Sequence, residues 1–207
     1  MRIVNNTFNI VIIGDWNDTY LEPRWLSEKV FMTDNFEIGL LGQGFNYKVQ
    51  VNYGDFIYEP KENQVKIICT NVSEESIVRF EDICRSFFNE AFSPRIIAYG
   101  FNMQFEEDDT TSYSEIVDGI PIMNSLVENG AVIDATDIKT NLKYKDAPYN
   151  LTFSINTADK LNMTFNSECR CNCPSNEIDF DNNPISIFKS SCIELLNSCG
   201  YYLEEEE

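Results

Sequence analysis

The stretch Asn71–Phe92, NVSEESIVRFEDICRSFFNEAF, constrains the fold of this chain more than any other. Ile77, Phe80, Cys84, Phe87, Phe88 and Ala91 recur at steps of three and four residues, which places them in one apolar stripe of a helix. Glu74, Glu75, Arg79, Glu81, Asp82, Arg85 and Glu90 take the opposite side. Asn71 or Ser73 supplies a cap, and the acids of the first turn suit the positive end of the helix dipole. Pro94 ends the run because it has no amide proton and forces the residue before it out of helical geometry. A helix with one apolar face has to be covered by a sheet or by another helix. Strand-like runs flank it on both sides.

The first segment before it is FNIVII, Phe8–Ile13, a buried strand broken by Gly14-Asp15. A short helix follows in PRWLSEKVF, with Pro23 in the first turn. Four strands are then expected, at Phe36–Leu41, Phe45–Asn52, Asp55–Glu59 and Gln64–Thr70. Turns fall at Gly42-Gln43-Gly44 and Tyr53-Gly54-Asp55, with a polar loop at Pro60–Asn63. After Pro94 the order starts again. RIIAYGFNMQF, Arg95–Phe105, is a long strand with Ile97, Tyr99, Phe101, Met103 and Phe105 on one face. A helix is expected from Ser112 or Ser114 to Val127, interrupted at Gly119-Ile120-Pro121. Four more strands follow at Ala131–Thr136, Lys139–Tyr144, Tyr149–Asn156 and Lys160–Asn166, with turns at Lys145-Asp146 and Ala158-Asp159. The last helix is capped by Asn183, starts at Pro184 and closes at Gly200. Its stripe is Ile185, Phe188, Cys192, Leu195, Leu196 and Cys199.

Both halves therefore read strand, helix, four strands, helix. The pattern predicts an α+β protein with a large antiparallel sheet, or two joined sheets, and long helices on one face. The halves are 1–92 and 93–203, followed by the acidic tail 204–207. This element order resembles the duplicated, pseudo-two-fold arrangement of TATA-binding-protein and helix-grip folds. Three stretches, YEPKENQVKIICT, PRIIAYGFNMQFEED and EIDFDNNPISIFKSSCIELL, resemble an uncharacterised, sporadically distributed family of bacterial proteins. None contains a catalytic motif, so the resemblance assigns no functional residue.

Charge narrows the range of partners. The chain has 34 acidic and 15 basic residues, a formal net charge of -19. Nucleic-acid affinity rests on Lys and Arg displacing counterions, so direct binding to DNA or RNA is not expected. The excess is uneven, with 8 basic and 14 acidic residues through Phe92 against 7 and 20 after it. Much of it lies in Glu106-Glu107-Asp108-Asp109 and in the tail. The opening residues lack a signal peptide's apolar core and cleavage site, and no run reaches the length of a membrane span. A cytoplasmic protein with reduced cysteines is expected. The Asn-x-Ser/Thr triplets at Asn5, Asn17, Asn71, Asn150 and Asn162 then reflect an asparagine-rich composition.

The absence of histidine removes His-based triads, His-ligated zinc and HExxH proteases. There is no Walker lysine motif, and Gly39, Gly42 and Gly44 lie between strands, where glycines serve hairpin geometry. Three candidate sites remain. Asp15, Trp16, Asn17 and Asp18 follow the first strand and offer stacking beside carboxylates; the ordinary alternative is that Trp16 and Trp25 form a lid over the core. Glu177, Asp179 and Asp181 alternate with apolar residues and would line one strand face around a hard cation, or serve as the charged edge of a sheet. Cys169, Cys171 and Cys173 would share one strand face opposite Cys192 and Cys199, a thiolate set for a metal such as zinc. Their spacing departs from paired zinc ligands in turns, which favours reduced core cysteines.

No catalytic constellation emerges, and no cofactor is expected. The sequence points to a non-enzymatic, acidic protein-interaction protein with a protein partner of basic character. It would be an accessory or regulatory subunit of a bacterial complex, such as one of anti-phage defence. The alternatives are an acidic mimic of nucleic acid that inhibits a DNA- or RNA-binding enzyme, and a Mg²⁺-dependent enzyme acting through Asp179 and Asp181.

Overall fold

The structure, a computed structural model, describes residues 1–16, 22–43, 46–90, 94–111, 113, 121, 128–129, 136–155 and 160–204. Ten strands form one antiparallel sheet. In chain order they are β1 (Arg2–Ile3), β2 (Asn9–Gly14), β3 (Glu37–Gln43), β4 (Asn46–Tyr53), β5 (Phe56–Lys61), β6 (Gln64–Cys69), β7 (Arg95–Glu107), β8 (Asp137–Tyr144), β9 (Ala147–Ile155) and β10 (Leu161–Pro174). Three helices, α1 (Pro23–Lys29), α2 (Glu74–Glu90) and α3 (Pro184–Ser198), pack on one face of it. Across the sheet the order is β3-β4-β5-β6-β2-β7-β10-β9-β8, and the short β1 also pairs with β7. The expected α+β architecture with helices on one face is the one observed. Apart from Tyr113 and Pro121, the helix expected up to Val127 lies outside the described residues, as do the strand before Thr136 and the turn at Ala158-Asp159.

Local chemistry explains most of the boundaries. Tyr53 pairs with Phe56, and Gly54 turns the chain at φ 69°. Tyr144 pairs with Ala147 across Lys145 and Asp146, which both take positive φ, 48° and 65°, as a two-residue type I′ hairpin turn requires. The loop expected at Pro60–Asn63 is shorter than the sequence suggests, because Pro60 stays in β5 opposite Val65. Its missing amide proton costs nothing there, since pairing with β4 has already ended at Tyr58.

α2 begins after Ser73, whose Oγ accepts from the Ser76 amide at 3.2 Å. Of its expected stripe Ile77, Phe80, Cys84, Phe87 and Phe88 are buried, joined by Ile83, and Ala91 lies outside the described residues. Phe80 meets Phe8 edge-on at 5.7 Å, and Phe88 packs on Phe180 at 5.1 Å and Tyr99 at 5.7 Å. From α3, Phe188 lies parallel to both Phe8 and Tyr149. Strands from both flanks of the sheet and both long helices thus share one aromatic core.

Two expectations need correction. Ile97 was expected on one face with Tyr99, Phe101, Met103 and Phe105, yet it is 48% exposed and Ile96 is fully buried. The cause is a shift of register on both sides of β7: Ala98 faces Ile13 and Arg170, whereas Ile96 faces Gly14 and Cys173. A β-bulge of this kind breaks the alternation of faces. Asn183 was expected to cap α3, but it is left-handed at φ 49° and its side chain makes no capping bond. The cap comes from α2. Glu81, only 3% exposed, accepts from the Ser186 amide at 2.7 Å.

Burial raises the Glu81 carboxyl above its ordinary value, an effect that the bonds from Ser186 and Ile185 oppose. A carboxyl with a raised folded-state value favours the native state when protonated, and that contribution is lost as pH rises through the folded value. Glu81→Gln, which keeps the acceptor without the charge, should therefore be more stable than the parent at neutral pH, with the difference closing in acid. Glu81→Ala leaves the Ser186 amide without its acceptor and should cost about 1–3 kcal/mol. Urea titrations over a pH series check both. Phe88→Ala should cost about 3–5 kcal/mol in the same assay, and Phe88→Asp should fail to fold.

Candidate functional site

Among the described residues the sequence-derived metal sites are not drawn together. The Asp15 amide donates to the Arg95 carbonyl at 2.9 Å, and Trp16 packs on Phe87 at 5.4 Å, a core contact. Asn17 and Asp18 lie outside the described residues. Glu177, Asp179 and Asp181 do not occupy a strand: Ser175–Glu177 is a 3₁₀ turn, and the acids after it sit in an exposed loop. Asp179 binds the Asp181 amide and the Asn182 side chain, and Asp181 pairs with Arg85 at 3.3 Å. Arg85 also pairs with Asp82, so this loop is tied to α2 by a cation.

Among the cysteines, Cys192 is buried in the core while Cys199 is exposed at the end of α3. Cys169, Cys171 and Cys173 lie on β10, but the bulge and Asn172, at φ 58°, break the single face on which the sequence put them. Cys169 contacts the Tyr99 hydroxyl instead. Among the described residues no group of three or more His, Cys, Asp or Glu side chains is arranged to hold a metal ion. The acidic run after β7 is likewise not an open carboxylate row. Glu106 pairs with Arg2 at 2.5 Å and Lys160 at 3.3 Å, Asp108 with Lys160 at 2.7 Å, and Glu107 with the Met1 amine at 2.9 Å. These cations lower the carboxyls of Glu106 and Asp108 below their ordinary values.

Two surfaces stand out instead. The first is the margin of the sheet at β3. Among the described residues β3 pairs only with β4, and its outer edge is bare. Ile38 and Leu40 are 58% and 64% exposed, and Val49 beside Leu40 is 39% exposed. β3 reads EIGLLGQ, with one charge at its start, whereas β8, the strand at the other end of the order, reads DIKTNLKY. Lysines and other charges are what keep an edge from pairing with foreign strands. β8 carries an acid and two lysines, β3 only Glu37.

The second surface is the face of the sheet opposite α1, α2 and α3. Residues directly opposite one another on neighbouring strands share a face. Asn9 lies opposite Asn102, Asn102 opposite Asn166, Asn166 opposite Asn150, and Asn150 opposite Asn141. Their amides form a chain with one direction. Asn150 donates to Asn166 at 3.1 Å, Asn166 to Asn102 at 2.8 Å, Asn102 to Asn9 at 3.0 Å, and Asn9 to the Thr7 carbonyl at 2.6 Å. The same row continues the other way through Ile68 and Ile57 to Asn52 and Glu37. There it enters a groove of about 850 Å³ whose walls include Asn6, Asn35, Phe36, Gln50 and Asn52. Arg2, Lys48, Lys61, Lys66, Lys139, Lys143 and Arg170 are interspersed on this face with Glu37, Glu59, Glu106, Asp137 and Glu168. Basic side chains thus outnumber acidic ones there among the described strand residues, although the whole chain carries -19.

No known family model and no curated protein sequence matches the chain. Among the described residues no helix is long and apolar enough to cross a membrane.

Thiol chemistry separates the cysteine environments. Burial pushes Cys69 up to about 12 and Cys84 and Cys192 well above the ordinary thiol range, which leaves them inert at neutral pH. Ellman's reagent should therefore react promptly with Cys169 and Cys199, more slowly with Cys171 and Cys173, and with the other three only after unfolding. Added zinc should not protect any of them; protection of the β10 thiols would restore the metal reading.

Proposed function

We infer that this protein acts without catalysis, as a protein-interaction module that accepts a strand from its partner on the edge of β3. The observation that carries the reading is the contrast between the two ends of the sheet. A long edge whose one charge is Glu37 at its start, with Ile38 and Leu40 exposed, is a template for pairing, and proteins that leave such an edge bare risk aggregation unless a partner covers it. Strand addition would give main-chain hydrogen bonds for affinity, with Ile38, Leu40 and Val49 taking the partner's alternate side chains. The lack of histidine and of any assembled metal or acid cluster among the described residues supports a non-enzymatic role. The strong negative charge favours a basic partner, because long-range attraction speeds encounter. An accessory or regulatory subunit of a larger complex fits these properties. The pairing of Glu106 and Asp108 with Arg2 and Lys160 counts against a nucleic-acid mimic, which needs carboxylates in an open row.

Affinity purification of the tagged chain from its native host, compared with an Ile38→Lys/Leu40→Lys double variant, tests the reading. A defined protein should co-purify with the parent, and its recovery should fall at least tenfold with the variant. Recovery of the free chain alone, or an unchanged partner with the variant, overturns it.

A further inference from the structure

We propose that Cys171 and Cys173 form a reversible dithiol–disulfide site, closed by exchange with a low-molecular-weight disulfide of the glutathione class. The site lies on β10 and uses none of the residues of the β3 edge. Two residues apart on a regular strand, side chains stand about 6.6 Å from one another. That is too far for a disulfide, whose Cβ atoms lie about 3.8 Å apart. β10 is not regular there. Between Arg170, opposite Ala98, and Cys173, opposite Ile96, it carries one residue more than β7. Asn172 takes up the excess in the left-handed region at φ 58°, a conformation that asparagine tolerates and most side chains do not. Arg95 holds it there, its Nε donating to the Asn172 Oδ1 at 2.7 Å. The strand curls, and the thiols of Cys171 and Cys173 come into hydrogen-bonding contact. The bulge that breaks up a metal-binding face thus assembles a pair.

Access and chemistry select this pair among the seven cysteines. Cys69, Cys84 and Cys192 are buried, whereas Cys171 and Cys173 are half-buried and within reach of a small disulfide. Cys169 and Cys199 are exposed, but Cys169 contacts the Tyr99 hydroxyl and Cys199 the Ser198 hydroxyl at 3.9 Å. Each holds a mixed disulfide instead of resolving it. The Cys171 thiol donates to the Ile96 carbonyl at 3.6 Å. Burial raises this thiol and charge on Cys173 raises it further, so the Cys173 thiolate makes the first attack. That attack bonds Cys173 to one sulfur of the external disulfide and expels the other half as a thiolate. The Cys171 thiolate then attacks the Cys173 sulfur and expels the second half. Two protein thiols are oxidised, one external disulfide is reduced to two thiols, and the two protons released go to the departing thiolates. Closure removes the proton that Cys171 donates to Ile96 and fixes the bulge. A ring closed over three residues is strained, which leaves the bond open to reduction by the same class of thiol.

Equilibration of the full chain in glutathione redox buffers tests the proposal, followed by acid quenching, alkylation and tryptic mass mapping. Cleavage after Arg170 separates Cys169 from the peptide 171–189, which holds both thiols of the pair. As the oxidised fraction of the buffer rises, that peptide should become lighter by two hydrogens and escape alkylation. Dithiothreitol should restore both alkylation sites. The equilibrium constant should be at least tenfold larger in the native chain than in denaturing urea, because the fold has already brought the thiols together. Asn172→Val, which strains the left-handed position, should lower the native constant about tenfold, and Asn172→Gly should keep it. Cys171→Ser should arrest the reaction at a glutathione adduct on Cys173. Circular dichroism checks that each variant is folded, and the comparison of native and urea-unfolded parent needs no variant. Oxidation confined to Cys169 or Cys199, a cross-link from Cys169 in place of the pair, or equal constants in the native and unfolded chain overturns the proposal.

Discussion

The antiparallel pairing of β2 with β7 is the interaction on which the rest of the structure depends. It joins β3-β4-β5-β6 on one side to β10-β9-β8 on the other. Ile10 opposite Phe101 and Ile12 opposite Tyr99 put the seam at the centre of the core. Around this seam the arrangement is similar on each side, since β6 returns to β2 and β10 returns to β7. α1, α2 and α3 lie on one face of the sheet, and the asparagine row lies on the other. Because β2 and β7 are central, the bare edge that remains is set by where the chain starts each flank. On the first flank that strand is β3.

Both long helices were legible in the sequence because their information is local. The stripe of Ile77, Phe80, Cys84, Phe87 and Phe88 follows from spacing alone, and so does that of Ile185, Phe188, Cys192 and Leu196. The errors fell where a distant residue decides the outcome. Ile96 and Ile97 exchange sides because of a bulge set by two neighbouring strands, and no pattern within RIIAYGF encodes it. Cys199 keeps the helical spacing of its stripe but falls beyond the last turn of α3, where it is exposed. Asn183 has the right chemistry for a cap, but a carboxylate 105 positions away occupies that role.

The candidate surfaces were less legible than the fold. Read along the chain, Asn9, Asn102, Asn166, Asn150 and Asn141 are scattered members of an asparagine-rich composition. Only strand register aligns them, and register is a property of pairs of segments. β3 looked like any of the strand candidates, because a sequence does not state which strand ends a sheet. The acidic loop and the cysteine strand attracted notice for their composition, yet each depended on an alternation that the 3₁₀ turn at Ser175–Glu177 and the bulge at Asn172 remove.

The Glu81 cap also bears on the order in which the molecule is assembled. During synthesis α2 emerges about a hundred residues before the backbone amide that its carboxylate binds, and before Phe180 and Phe188. Until then α2 has β2, β5 and β6 to pack on, but its flank toward α3 stays wet and Glu81 stays hydrated. α3 in turn has no side-chain cap of its own, so its first turn is completed only on docking. Contacts this far apart in sequence form late and close slowly. The last long helix is therefore the closing piece of the fold, and a ribosome-bound chain lacking it would hold a half-covered α2 for a chaperone to shield.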